Sequence, residues 1–446
     1  MTDIAERSTN TADVVEECRT WLEENWDPDL TVAEWWERLG LAGWAAPGLP
    51  ENAYGKGLGR NDTVAVQNTI AEFGALSAPG GLGLMLAAPT IATHGTQEQI
   101  DLYVRDIVTG QKAWCQLFSE PGAGSDLAGL QARAIKDGDE WIVTGQKVWT
   151  SGGQVADLGM LIARTDPDVP KHQGITYFAL DMHQPGKVDI RPLVEMTGHA
   201  MFNEVFMEEA VAPDSALIGG LNNGWAVANT TLMNERASLG SGGGHSAASA
   251  ATPGTVAKDL AKRVGDFVSP PTGKRRGGGS TGGMFGSAAK MLIELAKGNG
   301  AATDPSIRQD LMKLHTINEL GRFNNLRSKA AKQAGIPTLD VVGGPNISKL
   351  SMSETMRLQR DVGLRILGAA GTLHAYKPED QQTLSDATGN PFAGMITGMA
   401  LFAQAPPIYG GTDQIQRNIL GERVLGLPKE ANQDKVAAFK DLPKNA

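Results

Sequence analysis

Residues 140–164 read EWIVTGQKVWTSGGQVADLGMLIAR. The spacing is close to two up to Trp149, with Trp141, Val143 and Trp149 on one side, TSGG breaks the run, and a second short apolar run follows. Segments of the same kind continue downstream at 175–182 (ITYFALDM), 188–194 (VDIRPLV) and 204–212 (EVFMEEAVA), punctuated by Gly, Pro and Asp. Strands in such close succession leave no length for crossover helices. An antiparallel barrel or sandwich is therefore expected over 114–218, and a parallel nucleotide-binding sheet is not.

Outward from this block the period changes. Residues 1–113 carry apolar spacings of three to four, with Trp21, Trp26, Trp35, Trp36 and Trp44 among acidic residues. In 97–108 (QEQIDLYVRDIV), Ile100, Tyr103, Val104 and Ile107 fall on one helical face behind a Thr96 N-cap. Helical spacing returns over 219–446, interrupted at 240–286 by a Gly-rich insertion with a basic cluster at Lys274, Arg275 and Arg276. Within it, 256–268 (VAKDLAKRVGDFV) is spaced for a short amphipathic helix, and the rest reads as flexible. The expected fold class is α+β, in three domains of helices, strands, then helices.

The net charge of −10 argues against a general nucleic-acid or anionic-membrane binder. Two cysteines, Cys18 and Cys115, are too few for a disulfide framework, a zinc ribbon or an iron–sulfur cluster. The seven histidines are scattered, so no helical metal pair exists and no metal is expected. The opening residues lack a basic-then-apolar leader, and the two long uncharged stretches are broken by Gly and Pro. A reducing, cytoplasmic location is the expectation.

Four segments carry chemistry. In 114–129 (WCQLFSEPGAGSDLAG), a turn through Pro121, Gly122, Ala123 and Gly124 exposes backbone N–H groups between the hydroxyls of Ser119 and Ser125. Convergent donors suit a phosphate or a flavin edge, although from chemistry alone a plain Gly-rich turn between a helix and a strand is the favoured account. Trp149, Thr150 and Ser151 place an aromatic face before two hydroxyls, suited to a planar cofactor or simply to a core tryptophan before a turn. On the helix 223–239, Glu235 falls within the stripe of Trp225, Ala228, Leu232 and Leu239, next to Arg236. A carboxylate there is either ion-paired or a base, and abstraction of a weakly acidic C–H proton calls for a base raised by burial. Residues 408–425 (IYGGTDQIQRNILGERVL) form a turn-to-helix junction that Thr412 and Asp413 can cap, with Ile415, Ile419, Leu420 and Val424 turned inward.

Taken in this order and spacing, SEPGAGSD, VWTSGG and GGTDQIQRNILGERVLGLP resemble the acyl-CoA dehydrogenase family of flavoenzymes over roughly 30–235 and 287–428. The resemblance implies an N-terminal helical domain, a central antiparallel β-barrel domain and a C-terminal four-helix bundle. It also implies a tetramer, FAD as cofactor, an acyl-CoA substrate and electron-transfer flavoprotein as acceptor. By the same resemblance, Gln116, Phe118, Ser119, Gly124 and Ser125 lie along FAD, with Ser125 also near the CoA arm. Trp149, Thr150 and Ser151 cover the ring, Gly368, Thr412 and Gln414 contact FAD, and Arg236 helps bind the thioester.

Two departures stand out. The position that bears the catalytic glutamate in many relatives is Gly410 here, which leaves only a backbone N–H for the thioester oxygen, whereas a minority of relatives carry the base where this chain has Glu235. The resemblance then implies α,β-dehydrogenation of a fatty-acyl or sterol-side-chain thioester with Glu235 as base. Second, the usual Arg…Phe stretch after that helix is not recognisable in 240–300, and the usual second glycine of 364–371 (LRILGAAG) is Ala369. A half-site subunit of a mixed tetramer therefore stands as an alternative, and an acyl-CoA oxidase as another.

Overall fold

The computed structural model describes residues 10–240, 250–268, 281–336, 344–431, 434 and 436–443. Helix α1 (Thr11–Asn25) starts where the Asn10 side chain accepts from the Ala12 N–H. A Thr31/Glu34 capping box opens α2 (Val32–Leu41). Helix α3 (Arg60–Phe73) stops at Gly74, whose φ of 88° an L side chain would resist. Helices α4 (Ala88–His94) and α5 (residues 97–108) complete the N-terminal domain. Ile100, Val104 and Ile107 are buried and Thr96 caps α5, as its spacing predicts. Trp35 and Trp36 are fully buried, and their indole N–H groups donate to Leu76 O at 2.8 Å and Ser77 O at 2.9 Å. Truncating either to Ala would cost roughly 3–5 kcal/mol.

The strands are β1 (Trp114–Leu117), β2 (Arg133–Asp137), β3 (Glu140–Ser151), β4 (Leu158–Arg164), β5 (Ile175–Asp181), β6 (Val188–Leu193), β7 (Phe202–Pro213) and β8 (Leu217–Ile218). They form one sheet in the order β6-β7-β3-β2-β4-β5-β8, with β1 beside β4. The expected antiparallel pairing needs one correction, because the sheet is mixed. β1 runs parallel to β4 in the register Trp114↔Leu158, and β2 meets β4 in parallel at Arg133↔Arg164. The β2–β3 hairpin lies between β1 and β4 and gives the chain the length a parallel return requires. Strands β4 and β5 are buried on both faces. Met160, Ile162, Ile175 and Tyr177 join the core of the N-terminal helices, whereas Leu161, Ala163, Phe178 and Leu180 fill the β-domain with Val143, Val205 and Met207. Two-sided burial explains their uninterrupted apolar runs.

Helix α6 (Gly224–Gly240) packs on β5 and α4. Its buried stripe is Val227, Ala228 and Thr231, displaced from the expected Trp225 and Leu232, which are half-buried. Residues 250–268 also differ from expectation. They form no α-helix but an extended strap with one 3₁₀ turn, Val264–Asp266. The N–H groups of Val32 and Ala33, left open at the start of α2, donate to Lys262 O at 2.8 Å and Leu260 O at 3.0 Å. That demand from α2 overrides the local amphipathic spacing, and Lys258 takes a left-handed φ of 59°. Of the proposed flexible insertion, 241–249 and 269–280, including Lys274, Arg275 and Arg276, lie outside the described residues.

The C-terminal bundle comprises α7 (Thr281–Gly298), α8 (Pro305–Gln333), α9 (Gly344–Leu367), α10 (Asp380–Thr388), α11 (Ala393–Phe402) and α12 (Asp413–Ile419). Leu292, Leu314, Val362 and Ile396 are its buried centre. Helix α9 touches α7, α8, α11 and α12, and also α6, so it ties the bundle to the helix that carries Glu235.

Candidate active site

After β1 the chain doubles back. Glu120 and Ala123 exchange backbone hydrogen bonds at 3.1 and 3.0 Å across Pro121 and Gly122. The buried Glu120 carboxylate accepts from the N–H groups of Gln131 at 2.6 Å and Ala132 at 2.9 Å, and from the Lys147 ammonium at 2.9 Å. Lys147 is fully buried and also donates to Phe118 O at 3.0 Å. Burial pushes the Lys147 ammonium below the usual lysine range, and the Glu120 carboxylate opposes that shift. The Val148 N–H donates to Ser119 O at 2.9 Å, which pins the Ser119 turn against the end of β3. Sequence reasoning missed this ion pair. Its signal is a lysine at an inward position of a strand, in register with Trp141 and Val143.

The end of β3 is bulged. Its pairing with β7 slips between Lys147 and Thr150. Trp149 sits in the slip at φ 61°, 56% exposed, with its ring 5.8 Å from Phe202 in an edge arrangement. A bulky residue at positive φ stores strain of the kind found at functional sites. Beneath it, Thr150 is buried and its Oγ1 has no hydrogen-bond partner. Asn203 on β7 donates from Nδ2 to Thr150 O at 3.0 Å and Gln154 Oε1 at 2.6 Å, while its own Oδ1 is without a partner. A Cβ on Gly153 would meet Thr150 Cγ2 at 3.2 Å and Asn203 Nδ2 at 3.4 Å. An exposed flat aromatic beside two buried oxygens without partners is chemistry that suits a planar, hydrogen-bonding ring such as a flavin.

The other expected residues fall as follows. Gln116 is half-buried on β1, opposite Met160. Phe118 is buried with its ring edge-on to Tyr177, centroids 6.0 Å apart. Gly124 and Ser125 are exposed just beyond the turn. Gly368, at φ 58°, opens the 3₁₀ turn after α9. Gln414 is exposed on α12. The Arg236 side chain lies outside the described residues.

Glu235 is half-buried on α6, one turn beyond Thr231 on the helix's inward face. Thr231 itself lies 3.0 Å from Thr90 Oγ1 and 3.4 Å from the Tyr177 hydroxyl, and Thr230 lies 2.8 Å from His94 Nε2. These contacts fix the rotation of α6 about its axis. The Gly410–Gly411 turn, φ 62° and 80°, is held from within, since Gln416 Nε2 donates to Gly410 O at 3.0 Å.

Of the two expected caps of α12, Thr412 alone serves, accepting from the Ile415 N–H at 3.2 Å. Asp413 is buried and paired with Lys349 at 3.0 Å and Arg357 at 2.6 Å, both on α9. Burial alone would raise its carboxyl, but hydrogen bonds from Lys349, Ser353 and Arg357 bring it below the usual value. The expected inward apolar residues Ile415, Ile419, Leu420 and Val424 are only half-buried, and Asp413 and Gln416 take the buried positions. Among the described residues, no group of three metal-ligating side chains converges.

Comparison with known proteins extends this geometry. Family models describing the acyl-CoA dehydrogenase N-terminal, middle and C-terminal domains match residues 7–111, 115–209 and 279–425. The acyl-CoA dehydrogenase IpdE1 of Mycobacterium tuberculosis is 32% identical over 397 residues, spanning 89% of this chain and 88% of that protein. The chain belongs to the acyl-CoA dehydrogenase family. The acyl-CoA dehydrogenase FadE34 of the same organism is 44% identical over 224 residues, half of this chain and 29% of FadE34. In structure, the chain is similar to the Tcur3481–Tcur3483 steroid acyl-CoA dehydrogenase, with TM-score 0.65, 25% identity and coverage of 96% and 100% of the two chains. It has the fold of the ChsE4–ChsE5 complex from Mycobacterium tuberculosis, with TM-score 0.64, 24% identity and coverage of 95% and 100%. The protein is thus an oxidoreductase that dehydrogenates acyl-CoA thioesters, and its cofactor is a flavin.

Proposed function

We propose that the chain converts a bulky or ring-bearing acyl-CoA to its trans-2-enoyl-CoA, with Glu235 as the base, FAD as the flavin and electron-transfer flavoprotein as the electron acceptor. The observation that carries the base assignment is the half-buried Glu235 on the inward face of α6, combined with glycine at 410. The Gly410 N–H donates to the thioester oxygen and stabilises the charge that develops there as the α-proton leaves. Glu235 takes that proton on its carboxylate. Bound flavin supplies the two-electron acceptor for the β-hydride. Ser119, Trp149, Thr150 and Ser151 hold and cover the ring, keeping water from the reacting carbons.

A bulky acyl group is supported by the structural likeness to a steroid acyl-CoA dehydrogenase and by the loss of a side chain at 410. Assembly is as a tetramer, of one chain or with a second partner chain. The test is Glu235→Gln, which should keep bound flavin but abolish its bleaching by CoA esters. Retained bleaching overturns the base. A panel of short, long, branched and steroidal CoA esters should bleach the parent protein fastest with the branched or steroidal members, and a preference for short straight chains overturns the substrate class. The chain expressed alone should be yellow and active, whereas a colourless product points to the half-site role.

A further inference from the structure

Asp434 and residues 436–443 lie against the β-domain, the latter docked on the loop between β4 and β5. The Phe439 N–H donates to Val169 O at 2.9 Å, and the Lys440 N–H to Pro167 O at 3.0 Å. From there two side-chain routes reach the residues just behind Gly124 and Ser125. In the first, the Phe439 ring lies 3.7 Å from the Arg164 guanidinium. Arg164 is buried and donates to Ala128 O at 2.6 Å and Lys171 O at 2.5 Å. In the second, the buried Lys171 ammonium donates to both Asp126 oxygens, at 2.8 and 2.9 Å, and to Asp434 at 2.8 Å.

A cation that has lost its water leans on partners in the protein, so Arg164, whose two Nη groups donate to backbone carbonyls while its Nε has no partner, and Lys171 are held and hold in turn. Asp126 shares Lys171 with Asp434, and Ala128 shares Arg164 with Phe439. The exposed Gly124–Ser125 backbone is thereby fixed from behind by a segment more than three hundred residues downstream.

We propose that Asp434 and residues 436–443 position the Gly124–Asp126 loop, with Asp434 and Phe439 as positioning residues that set affinity for the diphosphate of FAD or of CoA. The proposal rests on the reading of this loop as a ligand-binding segment. It does not depend on Glu235, because its readout is binding and not turnover.

The test uses the full chain with Asp434→Asn, Phe439→Ala and the two together. Lys440→Ala serves as a control, because its pair with Asp168 at 2.8 Å is exposed. Deflavinated protein is titrated with FAD by fluorescence quenching, and holoenzyme is titrated with coenzyme A by calorimetry. The double variant should weaken at least one of these affinities about tenfold, while kcat at saturation stays within about twofold. Loss with FAD alone assigns the loop to the flavin diphosphate, and loss with coenzyme A alone to the thioester. Phe439→Tyr, which keeps the stacked ring, should restore affinity to the parent level. Unchanged affinities in both titrations overturn the proposal, as does an equal loss in Lys440→Ala. If the double variant does not fold, Asp434→Asn is read by the same two titrations.

Discussion

The Lys147 ammonium and the Glu120 carboxylate lie 2.9 Å apart where neither side chain is more than 7% exposed. Each half of the pair anchors a different backbone. Lys147 holds Phe118, and Glu120 holds Gln131 and Ala132. The Ser119 turn is suspended between them.

Removing one partner strands a charge in a dry interior. Lys147→Met or Glu120→Gln should each cost roughly 3–5 kcal/mol, and the double change to apolar residues should cost less than the two summed. Urea denaturation measures the stabilities, and flavin absorbance per chain should fall in step in the single variants. A single variant as stable as the parent would contradict the anchoring role.

Trp149 supplies a second prediction. A left-handed tryptophan costs about 1 kcal/mol or more, so Trp149→Gly should leave the flavin-free protein equally or more stable. The same change removes the ring's cover and should weaken flavin binding. Titration of the deflavinated variant checks this, and undiminished affinity counts against a cofactor role for Trp149.

Asp413 gives a pH dependence. Its folded pKa lies below the ordinary 3.8, so its contribution to stability is complete above that value and disappears as pH falls through the depressed one. Asp413→Asn leaves Lys349 buried without its carboxylate and should cost roughly 3 kcal/mol near neutrality. The variant's acid-unfolding profile should be flatter than the parent's in that window. Identical slopes would show that Asp413 is not the titrating group.

Burial pushes the Cys115 thiol up to about 12 and the Cys18 thiol up to about 11. Since the thiolate is the reactive form, the native protein should give no reaction with a disulfide reagent at pH 8, and the urea-unfolded chain should give two thiols. Fast labelling of the native protein would show that these positions open.

The strands from 140 to 213 were readable in the sequence because Gly, Pro and Asp mark their ends within a few residues of where pairing stops. The direction of β1 was not, because parallel pairing with β4 depends on a partner 44 residues away. The position of Glu235 on the inner face of α6 followed from helical geometry, although the stripe itself is Val227, Ala228 and Thr231. Trp149 read as a flat surface before two hydroxyls, but its exposure comes from a bulge that only the register with β7 creates. Glu120–Lys147 and Lys349–Asp413 are separated by 27 and 64 residues and join only after the chain has folded. At 256–268 local periodicity suggested a helix, and the open N–H groups of α2 prevailed.

The strap over 250–268 makes the three domains inseparable by simple cutting. Its carbonyls close the start of α2, Gly254 donates to Gly110 O, and the Asp157 carboxylate gathers the N–H groups of Ala113 and Thr255. A recombinant fragment beginning at residue 219 would carry this ribbon with its partners left behind, and one ending at 218 would expose the front of α2. Halves of the molecule should therefore recover native behaviour only when co-expressed, as a split protein whose reassembly the ribbon itself directs.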